Sequence, residues 1–280
     1  MNAFERMLQA LDGTMERPLP YGAFHLAALA AALAACVLAA VYLRRTSDRA
    51  NRVVLLIYAG SCLLFEVYKQ VIFSFSVSEA GGAVWSYQWY AFPFQFCSTP
   101  MYIALFAALI KPGRLQNALY SFLGTFGVLA GVLVMLIPTT VFIETVGINI
   151  QTMYHHGSQI VIGVYLLACG RAKRKVWGAL SGAPVFAGLM LAALCMNVIF
   201  HATGDTANFN MFFIGPYIPC SLLVLDKIYL SAPYPVFLLI YALSFTLGAS
   251  MVSGLTHAFS LLGRRVKYRI AGRRSATAKG

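Results

Sequence analysis

Cys97 lies in the stretch Phe92-Pro93-Phe94-Gln95-Phe96-Cys97-Ser98-Thr99-Pro100-Met101-Tyr102, where a thiol stands between two prolines among amide, hydroxyl and aromatic side chains. A thiol can attack an ester carbonyl and carry the acyl group as a thioester, provided that a nearby base takes its proton. Candidate bases occur as the adjacent pair in Tyr154-His155-His156-Gly157-Ser158-Gln159. Successive helical residues point about 100° apart, so the two imidazoles face different neighbours. His155 continues a polar stripe with Gln151 and Ser158, and His156 continues one with Thr152 and Gln159. Either ring could serve the thiol, with Glu66 or Gln159 orienting it. Oxyanion donors are sought among Gln95, Ser98, Thr99 and Asn210. The further ionisable or polar groups at comparable positions are Lys69, Asn197 and His201.

These residues fall within long apolar runs. Of the 280 residues 60% are hydrophobic and 11% charged, outside the range of a soluble domain. Runs long enough to cross a bilayer, about 20 residues each, cover 22–43, 53–75, 88–110, 118–137, 149–170, 183–203 and 234–257. The expected fold is therefore an all-α polytopic membrane bundle of seven transmembrane helices within residues 22–263. In the third, Pro93 and Pro100 are expected to kink a continuous helix and to free the carbonyls of Trp89 and Phe96, which would then line an interior cavity. Segment 204–233 contains Gly215, Pro216, Pro219 and Pro233 and reads as a broken or re-entrant piece over the ends of the bundle.

The net charge of +12 raises nucleic acid as a partner, but the basic residues sit in short runs between spans, so the charge describes topology and no nucleic acid is expected. All but Arg6, Arg17, Lys69 and Lys227 of the 21 lysines and arginines fall on one side. The positive-inside rule places that side in the cytoplasm. The N-terminal segment 1–21 is then outside and the basic tail 264–280 inside, against anionic lipid headgroups. The setting is a cell membrane. Six scattered cysteines, with no C-x-x-C pair, suggest neither a disulfide framework nor a metal site, and no cofactor is expected.

With this topology Cys97 is about 14 Å, and the histidines about 10 Å, below the outer surface at 1.5 Å per residue. Glu66, Lys69, Asn197 and His201 fall in the same outer half. Ionisable groups within spans are costly unless paired, which makes each a candidate for function. Glu66 and Lys69, three residues apart, could equally be a structural ion pair. The five other cysteines read as small packed hydrophobes.

The order of Pro93-Phe94-Gln95-Phe96-Cys97, His156-Gly157, the Asn-aromatic-Met run Asn208-Phe209-Asn210-Met211 and Pro233-Tyr234-Pro235 resembles the YwaF-like bacterial membrane family, related to vertebrate transmembrane protein 164. The resemblance implies a phospholipid acyltransferase that moves a fatty acyl chain from a glycerophospholipid to a lysophospholipid. It also implies an essential cysteine at Cys97 and a histidine at His156, with Asn208 or Asn210 at the family asparagine. The rival reading is a proton-coupled transporter or channel built on Glu66, Lys69 and the histidines. Two related halves, common among transporters, are not visible here. A third reading, a receptor or assembly factor, has only the number of spans behind it.

The topology carries its own test. Reporter fusions at Arg174 and at Arg274 are both expected to report a cytoplasmic position, and an external signal at either overturns the orientation.

Overall fold

In the computed structural model the described residues are 2–78, 81–138, 141–175, 177–203 and 208–277, with side chains described up to Gly263. The basic side chains of the tail and residues 204–207 of the broken segment lie outside the described set.

The chain is a helical bundle. After α1 (Ala3–Leu11) come α2 (Ala23–Tyr42), α3 (Asp48–Ile72), the hairpin β1 (Phe75–Val77) and β2 (Ala83–Trp85), and α4 (Thr99–Leu109). There follow α5 (Arg114–Phe122), a π-helical turn (Leu123–Gly127), α6 (Val128–Leu136), α7 (Val146–Ala168), α8 (Ala183–Ala202), α9 (Leu225–Ser231) and α10 (Tyr234–Thr277). Among the described residues, five stretches are long and apolar enough to cross a membrane: α2, α3, the run Arg114–Leu136, α8 and the Tyr234–Gly263 part of α10. Their outward side chains are themselves apolar, including Leu33 and Val37 on α2, Leu191 and Ile199 on α8, and Leu243, Leu247 and Leu255 on α10. A water-facing surface does not carry large apolar side chains so continuously.

Helix α7 has the length to span, at 23 residues, but spends it differently. Asn149, Gln151, Thr152, His155, His156 and Gln159 on it are all buried. Helices α2, α3 and α6 and the π-turn pack around it. Its start is pinned by Asn149, which accepts from the Ile143 N–H at 3.0 Å and donates to the Ile143 carbonyl at 2.7 Å. The N-terminal segment adds a bridge in which the Val146 N–H donates to the Gly13 carbonyl at 2.8 Å.

The third expected span is not one kinked helix. A 3-10 turn at Trp89–Ala91 leads into a non-helical stretch, and α4 starts only at Thr99, with Pro100 in its first turn. A residue before proline is pushed out of the α region, whereas a proline in the first turn costs nothing, since its N–H would be unbonded there anyway. Two prolines seven residues apart in sequence therefore break the helix where one would bend it. The carbonyls expected to be free have local partners. Trp89 O accepts from the Phe92 N–H at 3.2 Å, and Phe96 O accepts from Thr99 Oγ1 at 2.9 Å.

Close approach of α7 to the α5–α6 run depends on glycines. A Cβ at Gly131 would stand 2.8 Å from the His156 carbonyl oxygen, and one at Gly163 would stand 2.2 Å from Val128 Cγ2 and 2.8 Å from the Leu123 carbonyl oxygen. Overpacking of this kind costs about 1–3 kcal/mol. Gly163→Val is expected to lower the melting temperature of the detergent-solubilised protein by several degrees, whereas Gly60→Ala, at a position with open space around it, should leave it unchanged.

Candidate active site

Cys97 sits in the non-helical stretch between two anchored neighbours. Upstream, the Gln95 side chain donates through Nε2 to the Asn210 carbonyl at 3.1 Å and accepts the Phe212 N–H through Oε1 at 3.0 Å. The Phe96 ring is buried against Phe122, Phe186, Phe212 and Phe245. Tyr102 Oη donates to the Pro93 carbonyl at 3.1 Å, tying α4 back across the stretch. Cys97 itself is half-buried. Its carbonyl lies 3.0 Å from His155 Nε2.

That contact fixes a proton. A carbonyl only accepts, so His155 carries hydrogen on Nε2 and a lone pair on Nδ1. His156 has the reverse tautomer, because its Nδ1 lies 2.7 Å from the Thr152 carbonyl one turn back and must donate to it. Both lone-pair nitrogens, His155 Nδ1 and His156 Nε2, are buried and unbonded among the described residues. His25 shows what a structural imidazole looks like in the same bundle. It is fully buried, lies 2.9 Å from the Met135 carbonyl through Nε2 and accepts the Tyr21 N–H through Nδ1 at 2.9 Å. Each ring of the pair on α7 keeps an unbonded acceptor nitrogen among the described residues, and His25 does not.

Gln159, one turn beyond His155, is wholly buried, and neither its Oε1 nor its Nε2 has a hydrogen-bond partner among the described residues. It therefore orients neither ring. A buried amide in that state costs about 1–3 kcal/mol.

On α3, Glu66 and Lys69 form an ion pair at 2.7 Å. They are the centre of a chain of bonds: Gln70 Nε2 donates to Glu66 Oε1 and to the Ala91 carbonyl, each at 2.8 Å, while Tyr87 Oη donates to Gln70 Oε1 at 2.7 Å. Burial, and then the Glu66 charge, push the Tyr87 phenol up to about 12, so it remains a donor at any physiological pH. Glu66 Oε2 is left unbonded. Both charges lie within electrostatic reach of Cys97, and Lys69 also within reach of His155. A groove of about 350 Å³ runs beside it, walled by Leu63, Val67, Val71, Pro93 and Tyr102 as well as Glu66.

Thus Cys97, Ser98, His155, Glu66 and Lys69 are brought together, with His156 and Gln159 on the same buried helix. The remaining candidates are placed elsewhere. Asn197 donates to the Met211 carbonyl at 3.0 Å and accepts the Met211 N–H at 2.7 Å. Asn210 donates to the Ile218 carbonyl at 3.0 Å and accepts the Gly215 N–H at 2.7 Å. Gln95 and Asn197 hold the 208–220 segment to the bundle, and the Asn210 amide braces that segment internally. Thr99 Oγ1 is engaged with Phe96, Asn208 is exposed, and His201 is exposed and stacked on Tyr217.

Sequence reasoning did not single out Gln70 or Tyr58. Gln70 links the ion pair to the Tyr87–Ala91 segment. Tyr58 is buried on α3 with its hydroxyl unbonded, close to Cys62 and within electrostatic reach of Cys97. Their signal was present: Tyr58, Cys62, Glu66 and Gln70 recur every four residues and mark one face of α3.

The two kinds of polar residue should separate in stability. Asn197→Ala strips both partners from the buried Met211 backbone and is expected to cost about 2–4 kcal/mol, at roughly 1–3 for each group left unbonded. His156→Ala removes a ring with one unbonded nitrogen and is expected to lower the melting temperature far less. Thermal unfolding of the two purified variants side by side checks this, and equal losses would place His156 in the structural frame.

A model of the TMEM164 family matches residues 20–253. No curated protein and no solved structure matches the chain. The match takes in α2 to α8 and reaches into α10, including the Cys97 stretch and the histidine pair. The chain is a multi-pass membrane protein belonging to the TMEM164 family.

Proposed function

We propose that this protein is a membrane acyltransferase that moves a fatty acyl chain between glycerophospholipids through a Cys97 thioester. One observation carries the reading: the Cys97 carbonyl is held by His155, one of a buried histidine pair whose tautomers each leave an acceptor nitrogen free among the described residues. The family membership and the apolar groove beside Glu66 support it.

The chemistry follows from these groups. His156 Nε2 takes the thiol proton, and His155 holds the Cys97 backbone through its Nε2–H. The sulfur attacks the ester carbonyl, a C–S bond forms and the glycerol C–O bond breaks. The departing oxygen takes the proton back from the imidazolium and leaves as a lysophospholipid. In the second half, a lysophospholipid hydroxyl gives its proton to the imidazole and attacks the thioester, a new C–O bond forms, the C–S bond breaks, and the departing sulfur takes the proton back from the imidazolium. The Lys69 ammonium supplies a counter-charge near the thiolate, and Glu66 tethers it.

The same proposal includes seven passages through the bilayer, with the N-terminus outside and the tail in the cytoplasm. The third is short: α4 has 11 residues, about 16 Å, and the non-helical stretch completes the crossing inside protein. The site opens to the outer half of the membrane, and the 204–233 segment acts as its lid. The basic tail holds anionic headgroups.

Incubation of purified protein with a labelled phospholipid, followed by intact-mass analysis, tests the chemistry. Wild-type protein is expected to carry an acyl adduct, Cys97→Ala none, and Cys97→Ser little, since a hydroxyl needs a stronger base. His156→Ala should slow adduct formation by about 10²–10⁴-fold, with His155→Ala as the comparison. Full transfer activity in Cys97→Ala would remove covalent catalysis and favour transport or direct transfer.

A further inference from the structure

Acyl transfer through a thioester passes through a tetrahedral centre whose oxygen carries negative charge, so the site needs a fixed donor for it. Three of the side chains from which sequence would choose that donor are engaged. Gln95 and Asn210 bond through both ends of their amides, and the Thr99 hydroxyl donates to Phe96. Ser98 is directed at the sulfur of its neighbour Cys97.

Gln159 is different. Asn51, Asn149, Asn197 and Asn210 are as deeply buried, and each is bonded through both its oxygen and its nitrogen. Gln159 is 0% exposed and bonded through neither. It is also in the right neighbourhood. It follows His155, whose ring holds the Cys97 carbonyl, by one helical turn. Its Cγ and Pro100 Cγ lie 3.9 and 4.0 Å from the point where a Gly127 Cβ would stand, and Pro100 is three residues after Cys97. The π-turn that carries Gly127 is a local irregularity of the kind often found beside functional sites.

We propose that the Gln159 carboxamide is the substrate-facing donor of this site, its Nε2–H hydrogen-bonding the ester carbonyl oxygen and holding the charge that develops there. The inference rests on the acyl-transfer reading. No proton moves in the step. The sulfur lone pair forms the C–S bond, the carbonyl π pair moves onto oxygen and is held by the amide, and it returns when the glycerol oxygen leaves. The amide is unsatisfied at rest because its partner arrives with the substrate.

A donor of this kind has a signature that a structural amide lacks. Gln159→Leu, which keeps volume and removes an unpaired buried amide, is expected to raise the melting temperature of the full-length protein in nanodiscs. It should also slow adduct formation from labelled phosphatidylcholine by about 10²–10³-fold. In a Cys97→Ala background, which binds without reacting, it should reduce the thermal shift produced by added phosphatidylcholine. Gln159→Met, a second apolar replacement, is expected to behave alike. A fall in melting temperature in both variants would make Gln159 a structural amide and overturn the proposal. So would adduct formation at the wild-type rate in Gln159→Leu, with the acyl-transfer reading left standing. No adduct on the wild-type protein would overturn that reading and the oxyanion role with it.

Discussion

Backbone that is neither helix nor closed sheet survives at membrane depth only where protein covers it, because hydrocarbon offers no partner for an exposed N–H or carbonyl. The stretch Phe92 to Ser98 is backbone of that kind, and much of the surrounding structure serves to cover it. The Gln95 amide carries one end to the 208–212 segment, Tyr102 closes over the Pro93 carbonyl, and His155 takes the carbonyl of Cys97. The ring of Phe96 fills the centre of an aromatic cluster drawn from α5, α8, α10 and the 208–213 turn. The Cys97 thiol thus stands on a non-helical segment fixed at both sides.

The same constraint explains the two populations of buried polar side chains. One is fully satisfied and holds the fold: His25 ties to α6, Asn149 to the linker before α7 and Asn197 to the segment between α8 and α9, which Asn210 braces from within. The other is left open: the free nitrogens of His155 and His156, the Gln159 amide, the Tyr58 hydroxyl and Glu66 Oε2. Unbonded polar atoms are destabilising at rest, and such groups concentrate where a ligand completes them. Of the seven described residues with such an unbonded buried atom, five lie on α3 and α7, the others being Ser121 on α5 and Asp226 on α9; α3 and α7 face each other through contacts such as Tyr154 Oη to Ser61 Oγ at 2.6 Å.

Helix α7 occupies the centre because its neighbours can come close. Gly131 and Gly163 face it or lie on it where backbone or branched side chains fill the position a Cβ would need. Close approach brings the polar stripe of α7 away from lipid, while α2, α8 and α10 carry the lipid-facing apolar surface. An enclosed polar helix behind an apolar outer ring is the arrangement in which charged and proton-accepting groups can persist inside a membrane.

Composition and run lengths by themselves determined the membrane setting and the helical class, since burying so much apolar surface and so little charge is a property of the whole chain and needs no contact to be known. The Cys97 stretch and the His155–His156 pair were also legible, because a thiol between prolines and adjacent imidazoles in a span are exceptional as residue types in those places. Only the tertiary structure decided the rest. Whether two prolines kink a helix or end it depends on what covers the exposed backbone, and most of that cover is distant in sequence, 58 positions for His155 on Cys97 and 117 for Phe212 on Gln95. Whether a buried asparagine, glutamine or histidine is frame or site depends on its partners: Asn197 and Gln159 are both amides within long helices, and they differ because Met211 meets one of them and no described group meets the other.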